Sequence, residues 1–493
     1  MLRLHLSSLG AVLLVGGVAA CDSSSAPTPV ADQPRISAAS ARAATSRHLV
    51  TFKAGVPAAF VARVKALGGK VALEDDALGF AAVSGLSDQE AESLVRDGLA
   101  ATAEVEPVIQ LSPYSTRKPT RLPASAVHSP NDPTAALLFS VLPLQWNMIA
   151  VHADAAWAAG KLGSSNTTAA ILDTGLDYTH PDLAGHVDLA RSIDLVGEAD
   201  SIAKYAGSGL NPIMDLNTHG THLGGIVSSN AFITAGITSK TTLLGVKVCN
   251  MRGSCPTAAV LEGIRYAADA GAAVINLSLG GTFSKSGAQG FGAIIDRTFT
   301  YAKRKGALIV VSAGNAAADL DHNGNQFEAY CNATYVICVS AVGPTGESAF
   351  GPFVNVDAFA SIFSNFGRSA IGVAAPGGNV VLNSQGNIVD LTPVWSSCST
   401  KAQEFASLQP SPTEAPLGLL CPPQFLPVIG IVGTSQAAPH VTGLAASLAS
   451  EGIKGPAQLR SAIFSGADDL GPRGTDPFYG KGRINVAASL GVH

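Results

Sequence analysis

The feature that most limits the fold lies beyond Trp146, where short runs of branched and small apolar residues alternate with longer helical patterns. Strands are expected at Thr168–Leu172, Leu243–Val248, Ala272–Leu277, Ala307–Val311 and Ile371–Ala374, with helices such as Pro256–Ala270 and Ala293–Lys303 between them. Strands apolar at nearly every position are buried on both faces, and helical crossovers between them require a parallel arrangement. The expected fold class is therefore α/β, a three-layer parallel sheet with helices on both faces. A chain of 493 residues that is 47% hydrophobic and carries 52 glycines can build such a core. In open parallel sheets, sites collect beyond the carboxyl ends of the strands.

A smaller unit precedes it. His48–Lys53 alternates as a strand, Pro57–Leu67 has helical spacing, Lys70–Leu73 and Leu78–Val83 read as strands, and Ser87 with Glu90 forms a capping-box signal for a helix to about Leu99. A strand at Ala103–Leu111 completes β-α-β-β-α-β, the order of a small ferredoxin-like α+β domain, over 46–112. Residues 113–145 read as a linker. At the N-terminus, Arg3 and an uncharged apolar run from Leu6 to Ala20 have the form of an export signal, 1–20, too short to span a bilayer. Val18-Ala19-Ala20-Cys21 resembles the lipobox of bacterial lipoproteins, with Cys21 as the lipidated residue; cleavage after Ala20 without lipidation is the alternative. Residues 21–45 then form a linker rich in Ser, Ala, Pro and Thr. An exported, cell-envelope protein is expected, held to the membrane only through the N-terminal lipid.

Only 14% of residues are charged and the formal net charge is −5, which gives no footprint for nucleic acid. Ala415–Ser450 contains no charged residue, but its five prolines break any helix of spanning length. Apart from Cys21, six cysteines remain, and they admit 15 pairings; the short-range set Cys249–Cys255, Cys331–Cys338 and Cys398–Cys421 is the simplest for an exported chain. Zinc is the poorer reading, because no Cys-x-x-Cys occurs and no histidine stands at ligand spacing from a cysteine.

Four short stretches carry chemistry. Asp173 ends the first strand of the large unit before Thr174-Gly175; His219-Gly220-Thr221-His222 opens a helical pattern; Ser312-Ala313-Gly314-Asn315 ends another strand; and Gly433-Thr434-Ser435 opens a helix that continues through Val441, Leu444 and Leu448. Each alone has an ordinary reading as a cap or turn. A serine in the first turn of a buried helix, however, sits beside unpaired N–H groups and the positive end of the helix dipole. Ligation of a metal by His219 and His222 lacks a third ligand nearby.

Together, in the order Asp-Thr-Gly, His-Gly-Thr-His, Ser-Ala-Gly-Asn and Gly-Thr-Ser-x-Ala-x-Pro-His, these motifs resemble the subtilisin-type serine proteases, the subtilase family, over Trp146 to Asn485. The resemblance implies a subtilisin-like catalytic domain at 146–493, an inhibitory propeptide at 46–112 acting as the chain's own intramolecular inhibitor, and a maturation site in the 113–145 linker. It implies Asp173, His219 and Ser435 as the catalytic triad, Asn315 as oxyanion donor, and Ser278, Leu279, Gly280, Ser312, Ala313 and Gly314 as substrate-binding residues. The segment Ile275–Gly281 resembles the strand that pairs with an extended substrate, which implies a broad endopeptidase acting on proteins or peptides, needing no cofactor for chemistry, as a monomer. Self-cleavage within Ser112–Leu142 would free the catalytic domain from the anchor.

The sequence departs from the family in three places. Gln436 stands where Met commonly follows the nucleophile, Gly377–Ile431 is long for the link into the nucleophile loop and is expected to shape access, and Asp182 matches a calcium-ligand position without a recognisable partner loop. Asp321–Asn325 also offers oxygen ligands, with a polar loop as the plainer reading. An inactive binding protein on the same fold, and a ligase or cyclase using the same residues, stay open.

Overall fold

The computed structural model describes residues 47–111, 115–117, 133, 144–285, 289–345, 353–383, 385–404, 418–419, 421 and 427–492. The expected signal, Cys21 and most of residues 113–145 lie outside them.

In the N-terminal unit, β1 (His48–Thr51), α1 (Phe60–Ala66), β2 (Lys70–Asp75), β3 (Phe80–Ser84), α2 (Asp88–Arg96) and β4 (Thr102–Val105) follow one another. They build an antiparallel sheet of order β2-β3-β1-β4. The alternating apolar residues Val50, Phe52, Ala81 and Val83 close against Phe60, Val64 and Leu94 of the two helices. Ser87 caps α2 with Glu90 reciprocating, as the sequence signals. The expected single strand at Ala103–Leu111 is two strands, because Pro107 cannot donate to a continuing ladder. After it, β5 (Val108–Gln110) leaves the sheet.

The large unit contains β7 (Thr168–Asp173), β8 (Ile193–Asp194), β9 (Thr242–Lys247), β11 (Val274–Leu277), β13 (Leu308–Ser312), β15 (Val336–Val342) and β16 (Ile371–Pro376). Two short strands between them, β10 (Ser254–Pro256) and β12 (Thr282–Ser284), and then β14 (Gln326–Glu328), lie outside the main sheet; β6 (Ser115–Arg117) precedes them all in the chain. The main sheet runs β16-β15-β13-β11-β7-β9-β8, and its pairs are parallel. Its helices are α3 (His219–Val227), α4 (Thr257–Asp269), α5 (Gln289–Lys305), α6 (Thr434–Ser450) and α7 (Pro456–Gly466). Two cores result, one on each face of the sheet. Leu223, Ile226, Val441, Leu444 and Ile463 cover one, and Val260, Ile264, Ile295 and Phe299 the other.

Beyond β16 come the hairpin β17 (Asn379–Leu382) and β18 (Ile388–Thr392), then β19 (Val394–Ser397), β20 (Gln403–Glu404), β21 (Gly418–Leu419) and β22 (Val428–Val432). β22 is sandwiched antiparallel between β19 and β6, with Val432 opposite Ser115. The three cysteine pairs lie at disulfide distance, with Cα separations of 4.1 Å for Cys249–Cys255, 5.2 Å for Cys331–Cys338 and 6.1 Å for Cys398–Cys421.

The N-terminal unit lies on α4 and α5. Helix α4 has no side-chain cap of its own; Glu106 supplies one, accepting from Ala258 N–H at 2.8 Å while Arg47 pairs with its other oxygen at 2.6 Å. Arg265 pairs with Asp75 at 2.6 Å, and Arg297 donates to the Phe52 and Leu78 carbonyls. β5 then pairs with β10, directly before α4.

Candidate active site

Asp173 is the last residue of β7 and is fully buried. Its Oδ1 lies 2.8 Å from His219 Nδ1, at the first residue of α3. A carboxylate can only accept, so Nδ1 carries the proton and Nε2 keeps its lone pair. Two glycines permit this approach. A Cβ on Gly220 would stand 2.2 Å from the Gly175 carbonyl oxygen, and one on Gly175, whose φ is +109°, would stand 2.3 Å from that of Ile213. Gly220 N–H also donates to Thr174 Oγ1 at 3.0 Å, tying the helix start to the strand end.

Thr218, just ahead of His219, has φ +101°, a conformation costly for a β-branched residue. Contacts from both sides hold it there. Its N–H donates to Asp215 Oδ1 at 3.0 Å, its Oγ1 accepts from Ser399 N–H at 2.7 Å, and the same hydroxyl lies 3.3 Å from Cys398 Sγ. Thr400 donates through N–H and Oγ1–H to Asp177, both at 2.9 Å. The long segment before Ser435 is therefore, at its Cys398 end, a strap buttressing the turn into α3. Burial alone would lower the His219 pKa, but the charge and hydrogen bond of Asp173, with the charge of Asp215, outweigh it and raise it above 6.5.

Ser435 is the second residue of α6, and α6 packs on α3. Its Oγ donates to the Ser278 carbonyl at 3.2 Å, while its own carbonyl accepts from Ser278 Oγ at 2.8 Å. Asn276 Nδ2 donates to that same Ser278 hydroxyl at 3.0 Å, and Thr442 of α6 holds Asn276 Oδ1 at 2.9 Å. Asn315 follows β13, and its Oδ1 accepts from Thr434 N–H at 2.9 Å and Oγ1–H at 2.8 Å. The oxygen end of the amide is thereby fixed next to the start of α6, which assigns the opposite end as the N–H₂ donor.

Other residues singled out in the sequence take the following places. Val274–Leu277 pairs with β7 and β13 on its two sides, so only Ser278–Gly281, beyond the strand end, can receive an extended chain. His222, for which the sequence offers no completed ligand set, is buried: its Nε2 lies 3.2 Å from the carbonyls of Val394 and Ile429, and burial with the neighbouring His219 lowers its pKa to about 3. Asp182 accepts from Ile233 N–H, from Thr234 N–H and Oγ1–H, and from Ser397 Oγ–H. Those donors take up the lone pairs a calcium ion would need, so Asp182 anchors the 233–234 loop. Asp321 likewise accepts from Arg368 N–H and Ser369. Among the described residues no group of three His, Cys, Asp or Glu side chains is arranged to hold a metal.

Sequence reading missed Asp215, Ser399 and Thr400, which carry no spacing signal. It also missed the buried Glu328, although a lone acid in the apolar run Phe327-Glu328-Ala329-Tyr330 stands out once position is known.

A buried Asp–His pair at a strand's carboxyl end, on a helix packed against one whose second residue is serine, matches the arrangement of Asp-His-Ser hydrolase folds. The Subtilase family model matches residues 164–482, so the chain belongs to the Subtilase family of serine proteases. It is 33% identical over 362 residues to thermitase of Thermoactinomyces vulgaris, covering 73% of this chain and 98% of that protein. It is also 33% identical over 337 residues to a thermophilic serine proteinase of Bacillus sp. strain AK1, covering 68% of this chain and 64% of that one, and 30% identical over 343 residues to subtilisin DY of Bacillus licheniformis, covering 69% and 96%. Among solved structures, the epidermin leader peptide processing serine protease of Staphylococcus aureus matches 91% of this chain and 98% of its own with a TM-score of 0.64 at 20% identity, a likeness of fold.

Proposed function

We propose that the chain is an exported serine endopeptidase synthesised as a zymogen, with Ser435 as nucleophile, His219 as general base and acid, and Asp173 as the group that holds the imidazole. Ser435 Oγ leaves the Ser278 carbonyl, attacks the scissile carbonyl and passes its proton to His219 Nε2. The imidazolium is stabilised by buried Asp173 and returns the proton to the leaving amine; water then hydrolyses the acyl-enzyme by the same route. Asn315 Nδ2 and the Ser435 N–H, at the positive end of α6, receive the oxyanion. The single observation that carries this reading is the 2.8 Å Asp173–His219 bond set into the turn that α6 packs against.

The N-terminal unit acts as the inhibitory propeptide. In support, its tail pairs with β10, and the linker following it pairs with β22, whose last residue, Val432, stands three positions before Ser435. The linker is thus delivered to the nucleophile, and self-processing takes place within 113–145. Export follows from the N-terminal signal, and Cys21 is the lipid attachment point. Binding of substrate backbone along Ser278–Gly280 is indifferent to most side chains. Labelling with a fluorophosphonate tests the assignment: wild type labels at Ser435, and labelling at another residue, or none after removal of the N-terminal unit, refutes it.

A further inference from the structure

Two neighbouring parallel strands end here, one leading through Ser278-Leu279-Gly280-Gly281 and the other through Ser312-Ala313-Gly314 to Asn315. The Glu328 carboxyl lies between them. A Cβ on Gly280 would stand 2.7 Å from Glu328 Oε1, and a Cβ on Gly314 would stand 3.4 Å from Glu328 Cδ, so at both places bare backbone faces the acid. The same Gly280 position is 3.9 Å from the Ser312 carbonyl oxygen, which brings the two segments together at this point. Glu328 is 2% exposed and belongs to β14, which pairs with β12. Its backbone N–H is fixed by Asn332 Oδ1 at 2.8 Å, and its Oε2 accepts from Thr282 Oγ1 at 2.9 Å. Both partners are neutral. Among the described residues no Lys, Arg or His forms an ion pair with it, whereas buried Glu106, Asp75 and Glu198 each have one.

A buried carboxylate without a countercharge is costly, and a glutamine could accept the Thr282 hydroxyl equally well. Burial, only partly offset by Thr282 and the Gly281 N–H, pushes its pKa up to about 7, so the site favours an arriving cation. We propose that Glu328 forms the floor of the pocket for the residue preceding the scissile bond and selects lysine or arginine there. The reading of Ser435 as nucleophile underlies this inference, because it places the pocket beside Asn315. The maturation linker is compatible with it: 113–145 contains Arg117, Lys118 and Arg121, and since Pro119 follows Lys118, Arg117 and Arg121 are the basic residues with a cleavable bond after them.

The experiment uses the self-processed enzyme and peptides identical except for Arg, Lys, Leu or Glu before the cut. Wild type is expected to favour Arg and Lys over Leu in kcat/KM by about 100-fold, the size of one charge-assisted pair. In Glu328→Gln the Arg-to-Leu ratio falls by about the same factor whatever the absolute rate, while Glu328→Asp retains a basic preference. Should Glu328→Gln fail to fold, wild type alone decides through its inactivation by arginyl against leucyl peptide chloromethyl ketones. Equal or faster cutting and inactivation with leucine overturns the inference, as does an Arg-to-Leu ratio unchanged in Glu328→Gln. Fluorophosphonate labelling separates the two readings: Ser435 labelled without basic preference refutes only the role of Glu328, whereas an unlabelled Ser435 refutes both.

Discussion

Gln436, directly after Ser435, stands where the family commonly has methionine. It is fully buried in the first turn of α6, and neither its Oε1 nor its Nε2 has a hydrogen-bond partner among the described residues. An amide buried without partners costs about 1–3 kcal/mol for each stranded polar group. Methionine has nearly the same length and volume and strands nothing. Gln436→Met is therefore expected to stabilise the protein by about 2–6 kcal/mol. The measurement is thermal unfolding of the full chain in a Ser435→Ala background, where self-digestion cannot confuse the transition. At about 2 cal/mol/K of unfolding entropy per residue, a chain this long gains a few degrees in Tm. Gln436→Leu, shorter and branched, should gain less because it packs the same space poorly. An unchanged or lowered Tm for the methionine variant would refute the reasoning, showing that the amide finds partners in solution, for example in a buried water.

Three other outcomes follow from the site. The acid limb of kcat/KM should lie above pH 6.5, because the raised His219 pKa leaves the base protonated and unable to accept below it; in Asp173→Asn the limb moves down and activity falls by a factor on the order of 10⁴. An acid limb that stays put in that variant would count against the pair. Asn315→Ala should lower kcat by about 10²–10³ with little change in KM, the range seen when a subtilisin loses such a donor, and a loss confined to KM would contradict the oxyanion role. Glu328 has a folded pKa raised to about 7 from 4.5, so its contribution to stability is intact below pH 4.5 and lost as pH rises through 7. Glu328→Gln in the Ser435→Ala background should thus gain about 3 kcal/mol over the parent on going from pH 4 to pH 8, and a pH-independent difference would refute the raised pKa.

How much of this was legible in the sequence depended on how local the signal was. The strands ending at Asp173 and Ser312 and the helices opening at His219 and near Ser435 were readable because a run of apolar residues stopped at a polar one. The capping box at Ser87 was readable because both partners lie within four residues. Strand Val336–Val342 went unrecognised behind its cysteine-containing turn, and Ala103–Leu111 was read through Pro107 as one strand. What sequence could not reach were pairings between distant segments. The strap from Ser399 and Thr400 to Thr218 and Asp177, the cap from Glu106 to α4, and the place of Glu328 between Gly280 and Gly314 each join residues dozens or hundreds of positions apart. The hydrogen bonds that occupy Asp182 were out of reach for the same reason, since its donors come from residues 233, 234 and 397.

The most direct test of the central claim is the mass and N-terminal sequence of protein expressed from Ser46 onward, beside its Ser435→Ala variant, with casein digestion in parallel. Wild type is expected to shed its N-terminal unit by a cut within residues 113–145, leaving a chain that begins at Lys118 or Leu122, and to digest casein, while the variant stays whole and inert. Wild type and variant both remaining whole and inert, or the variant being processed and active like the wild type, would contradict it.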